Sequence, residues 1–105
     1  MVVAYIDGGS RGNPGLAGYG VCIEHPDGTL CDELYESVGV ATNNVAEYRG
    51  LLAALRYFLS HEYRDAIIRS DSQLLVRQMR GEYRVRHSGL RLLYKEACEL
   101  VDQLG

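Results

Sequence analysis

Three short runs of apolar and β-branched residues open the chain, and polar or glycine-rich segments separate them, a pattern that predicts β-strands. The first run covers Val2 to Ile6 and ends at Asp7. The second extends from about Ala17 to Glu24, and the third from about Leu30 to Val38. Because the Asp27-Gly28 step between the last two runs favours a tight reversal, we expect an antiparallel meander of three strands.

The glycine-rich segment from Gly8 to Gly15 connects the first two predicted strands, and its composition predicts irregular structure. It lacks the GK[ST] ending of a phosphate-binding loop, and it opens no helix. We therefore expect it to let the backbone approach a ligand closely and to leave Asp7 uncrowded.

After Thr42 the spacing of apolar residues changes to the period of an α-helix. Thr42, Asn43 or Asn44 can cap this helix, and Glu47 is expected in its first turn, where a carboxylate suits the helix dipole. The apolar face consists of Tyr48, Leu51, Leu52, Leu55, Phe58 and Leu59.

The second half of the chain predicts a further strand and two helices. The strand begins near Ala66 and ends at Asp71, a short helix starts at Ser72, and a last helix continues to about Leu104. Between the two helices, Gly81 to Gly89 forms a basic connector.

Strand direction brings three acidic residues together. If the first strand runs upward, the third does too, so the first helix begins at the upper edge and descends. The fourth strand must then rise parallel to the first through a right-handed crossover. Docking it beside the first gives a single α/β domain over residues 1–105, with sheet order 3-2-1-4 and helices mainly on one face. Asp7, Glu47 and Asp71 then meet at the upper edge, where parallel strands usually place ligands.

The length and composition of the chain are typical of one globular domain with one hydrophobic core. The chain has 105 residues, of which 47% are hydrophobic, and no apolar run approaches the roughly 18 residues of a membrane span. Since Met1 leads directly into a strand, we expect no signal peptide and a cytoplasmic protein. Three cysteines show no paired spacing, so we expect small, buried or half-buried thiols at Cys22, Cys31 and Cys98.

Positive charge is concentrated late in the chain although the net charge is −3. From Arg77 to Lys95 there are six basic residues and one acid, Glu82. Such a run alone is more often a solvated surface. Beside an acidic cluster, it favours a surface that binds phosphates.

Converging carboxylates are costly unless a cation lies between them. Each acid alone has a structural explanation: Asp7 as a turn residue, Glu47 as a helix-start charge and Asp71 as a helix cap. Together they favour a site for Mg²⁺ or Mn²⁺, of the kind that supports phosphodiester hydrolysis. A nucleophilic triad is less plausible, because the histidines fall in turns away from the acids.

Three motifs closely resemble the type 1 ribonuclease H family across essentially the whole chain: Asp7–Gly15, Thr42–Glu47 and Ser70–Gln73. The stretches Gly81–Tyr83 and Leu90–Tyr94 are similar to bacterial and archaeal members that lack a long basic protrusion. The resemblance implies a ribonuclease H-like fold. It also implies metal-dependent endonucleolytic cleavage of the RNA strand of RNA–DNA hybrids, leaving 5′-phosphate and 3′-hydroxyl ends.

The resemblance also assigns residues. Asp7, Glu47 and Asp71 match three of the family's four metal-binding acids, which serve a pair of Mg²⁺ or Mn²⁺ ions. Positions that contact the hybrid, mainly in its minor groove, are matched by Asn13, Asn43, Asn44 and Gln73, with Ser10 close to them. Phosphate contacts by Arg84 and Arg86 are inferred from charge alone.

One part of the family pattern lies beyond Gly105. Family members continue with a fifth strand and a final helix that supplies the fourth carboxylate, and Asp102 is no substitute because its helix runs away from the acids. The resemblance therefore implies a complete ligand set for the second metal and an incomplete one for the first. Two alternatives to the enzyme follow: a non-catalytic hybrid-binding module, or an inactive domain that self-associates. A homodimer through the uncovered sheet face or edge is expected.

Overall fold

The computed structural model describes residues 1–105 and contains one four-stranded sheet of order β3-β2-β1-β4. β1 pairs antiparallel with β2 and parallel with β4, and β2 pairs antiparallel with β3. The predicted meander, parallel fourth strand and strand order are therefore confirmed. The elements are β1 Val2–Ser10, β2 Gly15–Glu24, β3 Leu30–Ala41, α1 Asn43–Ser60, β4 Ala66–Ser70, α2 Gln73–Met79 and α3 Ser88–Leu104.

The glycine-rich segment is more regular than predicted. β1 continues past Asp7 as far as Ser10, β2 begins at Gly15, and Gly9 pairs with Gly18. The irregular part is confined to residues 11–14, because ladder hydrogen bonds with β2 hold the glycines extended. A Cβ on Gly8 would lie 2.7 Å from the backbone of α1, so Gly8 allows the helix to approach β1 closely.

The start of α1 corrects a second prediction. Thr42 is the N-cap, and its Oγ1 accepts a hydrogen bond of 3.2 Å from the N–H of Val45. Since the helix begins at Asn43, Glu47 lies in the second turn rather than the first. Its position is determined by the face of α1 that packs on β1, and not by the helix dipole.

α1 lies at the centre of the core, between the sheet and α3. Every second residue from Val2 to Ile6 in β1, together with Val21 and Ile23 in β2, is buried and packs with α1, whose own buried positions recur at helical spacing. This confirms that the helices pack on one face of the sheet. The connector between α2 and α3 spans residues 80–87, and Val85 anchors it in the core.

The opposite face of the sheet carries no helix. Tyr5 and Tyr35 are 43% and 83% exposed there, and the outer edge of β4 has no partner strand. Cys22, Cys31 and Cys98 are all free and half-buried, as predicted. None of the helices combines the length and the apolar character needed to cross a bilayer.

Candidate active site at the upper edge of the sheet

The two parallel strands place Asp7 and Asp71 at the same edge. Ile6 and Ser70 form the last pair of the β1–β4 ladder, and the next residue on each strand is one of the two acids. Both carboxylates are exposed. Both acids therefore directly follow the last pair of the parallel ladder, but only Asp71 follows the end of its strand, because β1 continues to Ser10.

Glu47 reaches the same edge from α1, and its side chain is buried, with only 6% of the residue exposed. Its Oε1 accepts a short hydrogen bond from the N–H of Gly8. Its Oε2 accepts one of 2.8 Å from the hydroxyl of Ser70. The carboxylate is thus fixed between the two strands that carry Asp7 and Asp71.

Burial raises the pKa of Glu47, although the hydrogen bonds from Ser70 and Gly8 act in the opposite direction. The negative charges of Asp7 and Asp71 raise the pKa further. The three acids therefore interact electrostatically, and a cation among them would relieve both the repulsion and the lost solvation.

The three acids do not form a preassembled group of metal ligands. No group of three or more His, Cys, Asp or Glu side chains is arranged to hold one metal ion. The donor chemistry does fit Mg²⁺ or Mn²⁺, because these ions prefer carboxylate oxygens and Asp7 and Asp71 are exposed and free of ion pairs. The fit therefore lies in donor type and charge.

A cluster of amides lies beside the acids. Asn43 Oδ1 accepts a hydrogen bond of 2.7 Å from the N–H of Ser10, and Asn13 Oδ1 accepts one of 2.8 Å from the N–H of Asn43. Since both side-chain oxygens are used internally, each amide keeps an NH₂ group to donate to a ligand. Ser10 Oγ is buried without a hydrogen-bond partner, and Asn44 is half-buried at the second position of α1.

Of the three remaining predicted residues, Gln73 and Arg84 each line a cleft. Gln73, the first residue of α2, lines a cleft of about 310 Å³ with Ser70, Arg77 and Arg80. Arg84 lines another, of about 650 Å³, next to α3.

Arg86 is exposed but does not line the second cleft. Arg91 and Lys95 line this cleft together with Arg84. Both belong to the basic run from Arg77 to Lys95, but neither was predicted as a site residue. Charge alone could not distinguish these residues, because the winding of α3 decides which cations face the connector. Ser70 was also missed as a site residue, although it belongs to the motif around Asp71.

The histidines lie at turns and helix ends, as predicted. His25 is in the β2–β3 turn, His61 follows the end of α1, and His87 caps the start of α3. None donates to or accepts from Glu47. The structure therefore gives no support to a nucleophilic triad.

The chain matches known proteins along most of its length. A sequence model of the family described as Reverse transcriptase-like matches residues 5–104. A Mycobacterium tuberculosis protein named as bifunctional is 47% identical over 103 residues, which make up 97% of this chain and 28% of that protein. The ribonuclease HI of Halobacterium salinarum is 41% identical over 100 residues, covering 95% of this chain and 50% of that enzyme.

Two solved structures share the fold. The N-terminal RNase H domain of a Mycobacterium tuberculosis protein, fused to maltose-binding protein, has a TM-score of 0.92 at 47% identity and covers 97% of this chain and 79% of that one. LC11-RNase H1, crystallised in complex with an RNA/DNA hybrid, has a TM-score of 0.92 at 36% identity, with coverage of 98% and 78%. The chain belongs to the ribonuclease H-like family, which confirms the predicted family and fold.

Proposed function

We propose that the chain is a ribonuclease H that cleaves the RNA strand of RNA–DNA hybrids at the edge formed by Asp7, Glu47 and Asp71. The observation that carries the proposal is the buried Glu47 carboxylate, fixed between two parallel strands whose next residues are both aspartates. Relatives named as ribonucleases H and the hybrid-bound LC11-RNase H1 support the same substrate.

Asp7, Glu47 and Asp71 would hold Mg²⁺ or Mn²⁺. Such ions, when bound, supply an activated water and stabilise the leaving oxygen in phosphodiester hydrolysis. The chain's own contribution is orientation, because Gly8 and Ser70 each donate to one oxygen of Glu47. Asp7 and Asp71 are exposed, so both carboxylates are accessible to a substrate phosphate and its metal ions.

The amide cluster supports recognition of the hybrid. The NH₂ groups of Asn13 and Asn43 can donate to minor-groove base acceptors and to ribose 2′-hydroxyls, and 2′-hydroxyl contacts distinguish RNA from DNA. Ser10 donates its N–H to Asn43, Asn44 follows Asn43 in α1, and Gln73 begins α2 just after Asp71. These neighbours of the acids and amides would add contacts to the hybrid.

The cleft next to α3 supports contacts with the phosphate backbone. Arg84, Arg91 and Lys95 line it, whereas Glu82, its one acid, lies 3.7 Å from the guanidinium of Arg77. Arg91 Nε donates to the carbonyl of Val85 at 3.1 Å, which fixes the guanidinium and leaves its outer N–H groups available. Arg86, exposed on the same connector, contributes charge at longer range.

A cleavage and binding assay tests the proposal. The parent chain, Asp7→Asn and Asp27→Asn are incubated with a labelled hybrid and Mn²⁺, and binding is measured by fluorescence anisotropy. Asp27 is an exposed turn aspartate away from the acids, so its variant controls for the loss of one carboxylate. We expect cleavage by the parent and by Asp27→Asn, and none by Asp7→Asn.

The second candidate is a non-catalytic hybrid-binding module, and the absence of a preformed group of metal ligands favours it. Tight binding without cleavage by the parent would establish the module and overturn the enzyme. Neither binding nor cleavage would overturn both. The cytoplasmic location stays a prediction.

A further inference from the structure

Ser70 makes two hydrogen bonds with one hydroxyl group. Its Oγ–H donates to Glu47 Oε2 at 2.8 Å, and the same oxygen accepts from the backbone N–H of Ser72 at 3.1 Å. Both contacts are partly shielded from water. The hydroxyl therefore links α1 to the turn that follows β4.

That turn carries Asp71. Because the N–H of Ser72 is held by Ser70, the backbone on both sides of Asp71 is fixed. Ser72 in turn caps α2, since its Oγ accepts from the N–H of Leu75 at 3.2 Å. Ser70 is thus in contact with the side chain of one acid and the backbone that presents another.

We propose that Ser70 is a positioning residue whose single hydroxyl sets the relative placement of Glu47 and Asp71. The inference rests on the proposed nuclease function for its catalytic consequence, while the placement itself is a property of the metal-free chain. Without the hydroxyl, Glu47 Oε2 loses its donor in a buried site and the Ser72 N–H loses its acceptor. Glu47 and Asp71 then sample orientations in which they are not aligned to bind metal ions together.

A matched pair of variants isolates the hydroxyl. Ser70→Thr keeps a hydroxyl, whereas Ser70→Val has nearly the same shape as threonine and lacks it. Both side chains are β-branched and suit a strand, so the pair has a similar effect on folding. Ser37→Ala removes a hydroxyl from an exposed position on β3 and serves as a control.

Kinetics on the hybrid give the first readout. We expect Ser70→Val to lower kcat by about 10–100-fold, the range typical for residues that orient metal ligands, with little change in KM. Ser70→Thr and Ser37→Ala should retain a kcat close to that of the parent. A Ser70→Val variant that keeps its kcat, or a Ser70→Thr variant that loses it equally, would overturn the proposal.

Amide hydrogen exchange without metal gives a readout that is independent of activity. The Ser72 amide should exchange faster in Ser70→Val than in Ser70→Thr, and the Gly8 amide resonance should shift because its acceptor Glu47 has moved. Equal exchange and unchanged shifts in the two variants would show that Ser70 positions neither acid. If the parent chain fails to cleave hybrids, the nuclease proposal fails, and the exchange data still decide the role of Ser70.

Discussion

The side-chain oxygen of Asn13 accepts a hydrogen bond of 2.8 Å from the backbone N–H of Asn43, the first residue of α1. The first N–H groups of a helix have no partner within it, so Asn13 satisfies one of them from a different part of the chain. This contact ties the β1–β2 turn to the start of α1. α1, which carries Glu47, is therefore bonded to the β1–β2 turn through Asn13 and to β1 through Gly8.

Replacing Asn13 separates its structural contact from its proposed role in binding. Asn13→Ala should lower the free energy of unfolding by about 1 kcal/mol and weaken hybrid binding, because it removes both the acceptor and the NH₂ donor. Asn13→Asp keeps the acceptor, so its stability should stay near that of the parent, while its negative charge should weaken binding. Denaturant unfolding and anisotropy measure the two effects. Full hybrid affinity in Asn13→Asp would remove Asn13 from the proposed contacts to the hybrid.

Two adjacent glycines should respond differently to alanine. The Cβ of Gly8→Ala would lie 2.7 Å from the backbone of Ala46 and Glu47, and that backbone cannot move without shifting α1. We expect a loss of about 1–3 kcal/mol in the free energy of unfolding. The nearest atom to a Cβ on Gly9 is Asn43 Oδ1 at 3.8 Å, so Gly9→Ala should change stability by less than about 0.5 kcal/mol. Similar melting temperatures for the two variants would contradict the close approach of α1 to β1.

Tyr57 should make stability fall at alkaline pH. Burial raises the pKa of Tyr57 above its usual value, and Cys31 and Asp32 add to this effect. The neutral phenol is therefore favoured in the folded state. Its contribution is fully present below the unfolded pKa of about 10 and is lost as the pH rises through the higher folded pKa.

The variant Tyr57→Phe has no phenol to ionise and isolates this contribution. Its free energy of unfolding should fall less steeply than that of the parent as the pH rises above about 10. The comparison requires urea unfolding of both proteins at matched pH values. Parallel pH profiles for parent and variant would show that Tyr57 ionises equally in the folded and unfolded states.

The uncovered face of the sheet should promote self-association. Tyr35 of β3 is 83% exposed on this face, and the outer edge of β4, on the opposite side of the sheet, is unpaired. Exposed apolar surface and free strand edges favour association, so light scattering should detect dimers at high concentration. Tyr35→Lys should weaken the dimer. Leu92→Lys alters a residue of α3 that is 74% exposed, and it should leave the dimer intact. A monomer at every concentration would contradict this expectation.

The sheet was predictable because its determinants are local. Apolar runs with period two or near 3.6 identified the strands and helices. The direction in which α1 leaves the meander then required β4 to run parallel to β1. The same reasoning placed Asp7 and Asp71 at one edge. The family and fold were identified from motifs that the structure and the relatives confirm.

The errors arose where tertiary contacts override local pattern. Pairing with β2 keeps Gly8 and Gly9 extended, although their composition indicates a loop. Topology brings the backbones of Asp7, Glu47 and Asp71 to one edge without orienting their side chains into one group of metal ligands. Ser70 had no signal of its own, because a serine that supports a carboxylate looks the same in sequence as any other serine.

Strand-resolved cleavage of an RNA–DNA hybrid decides whether the chain is a ribonuclease H. The two strands carry different labels, and products are separated after incubation of the parent chain with Mn²⁺ or Mg²⁺. The account predicts shortening of the RNA strand alone, leaving 5′-phosphate and 3′-hydroxyl ends, and no products with Glu47→Gln. An intact RNA strand with the parent chain, or equal cleavage by Glu47→Gln, would contradict it.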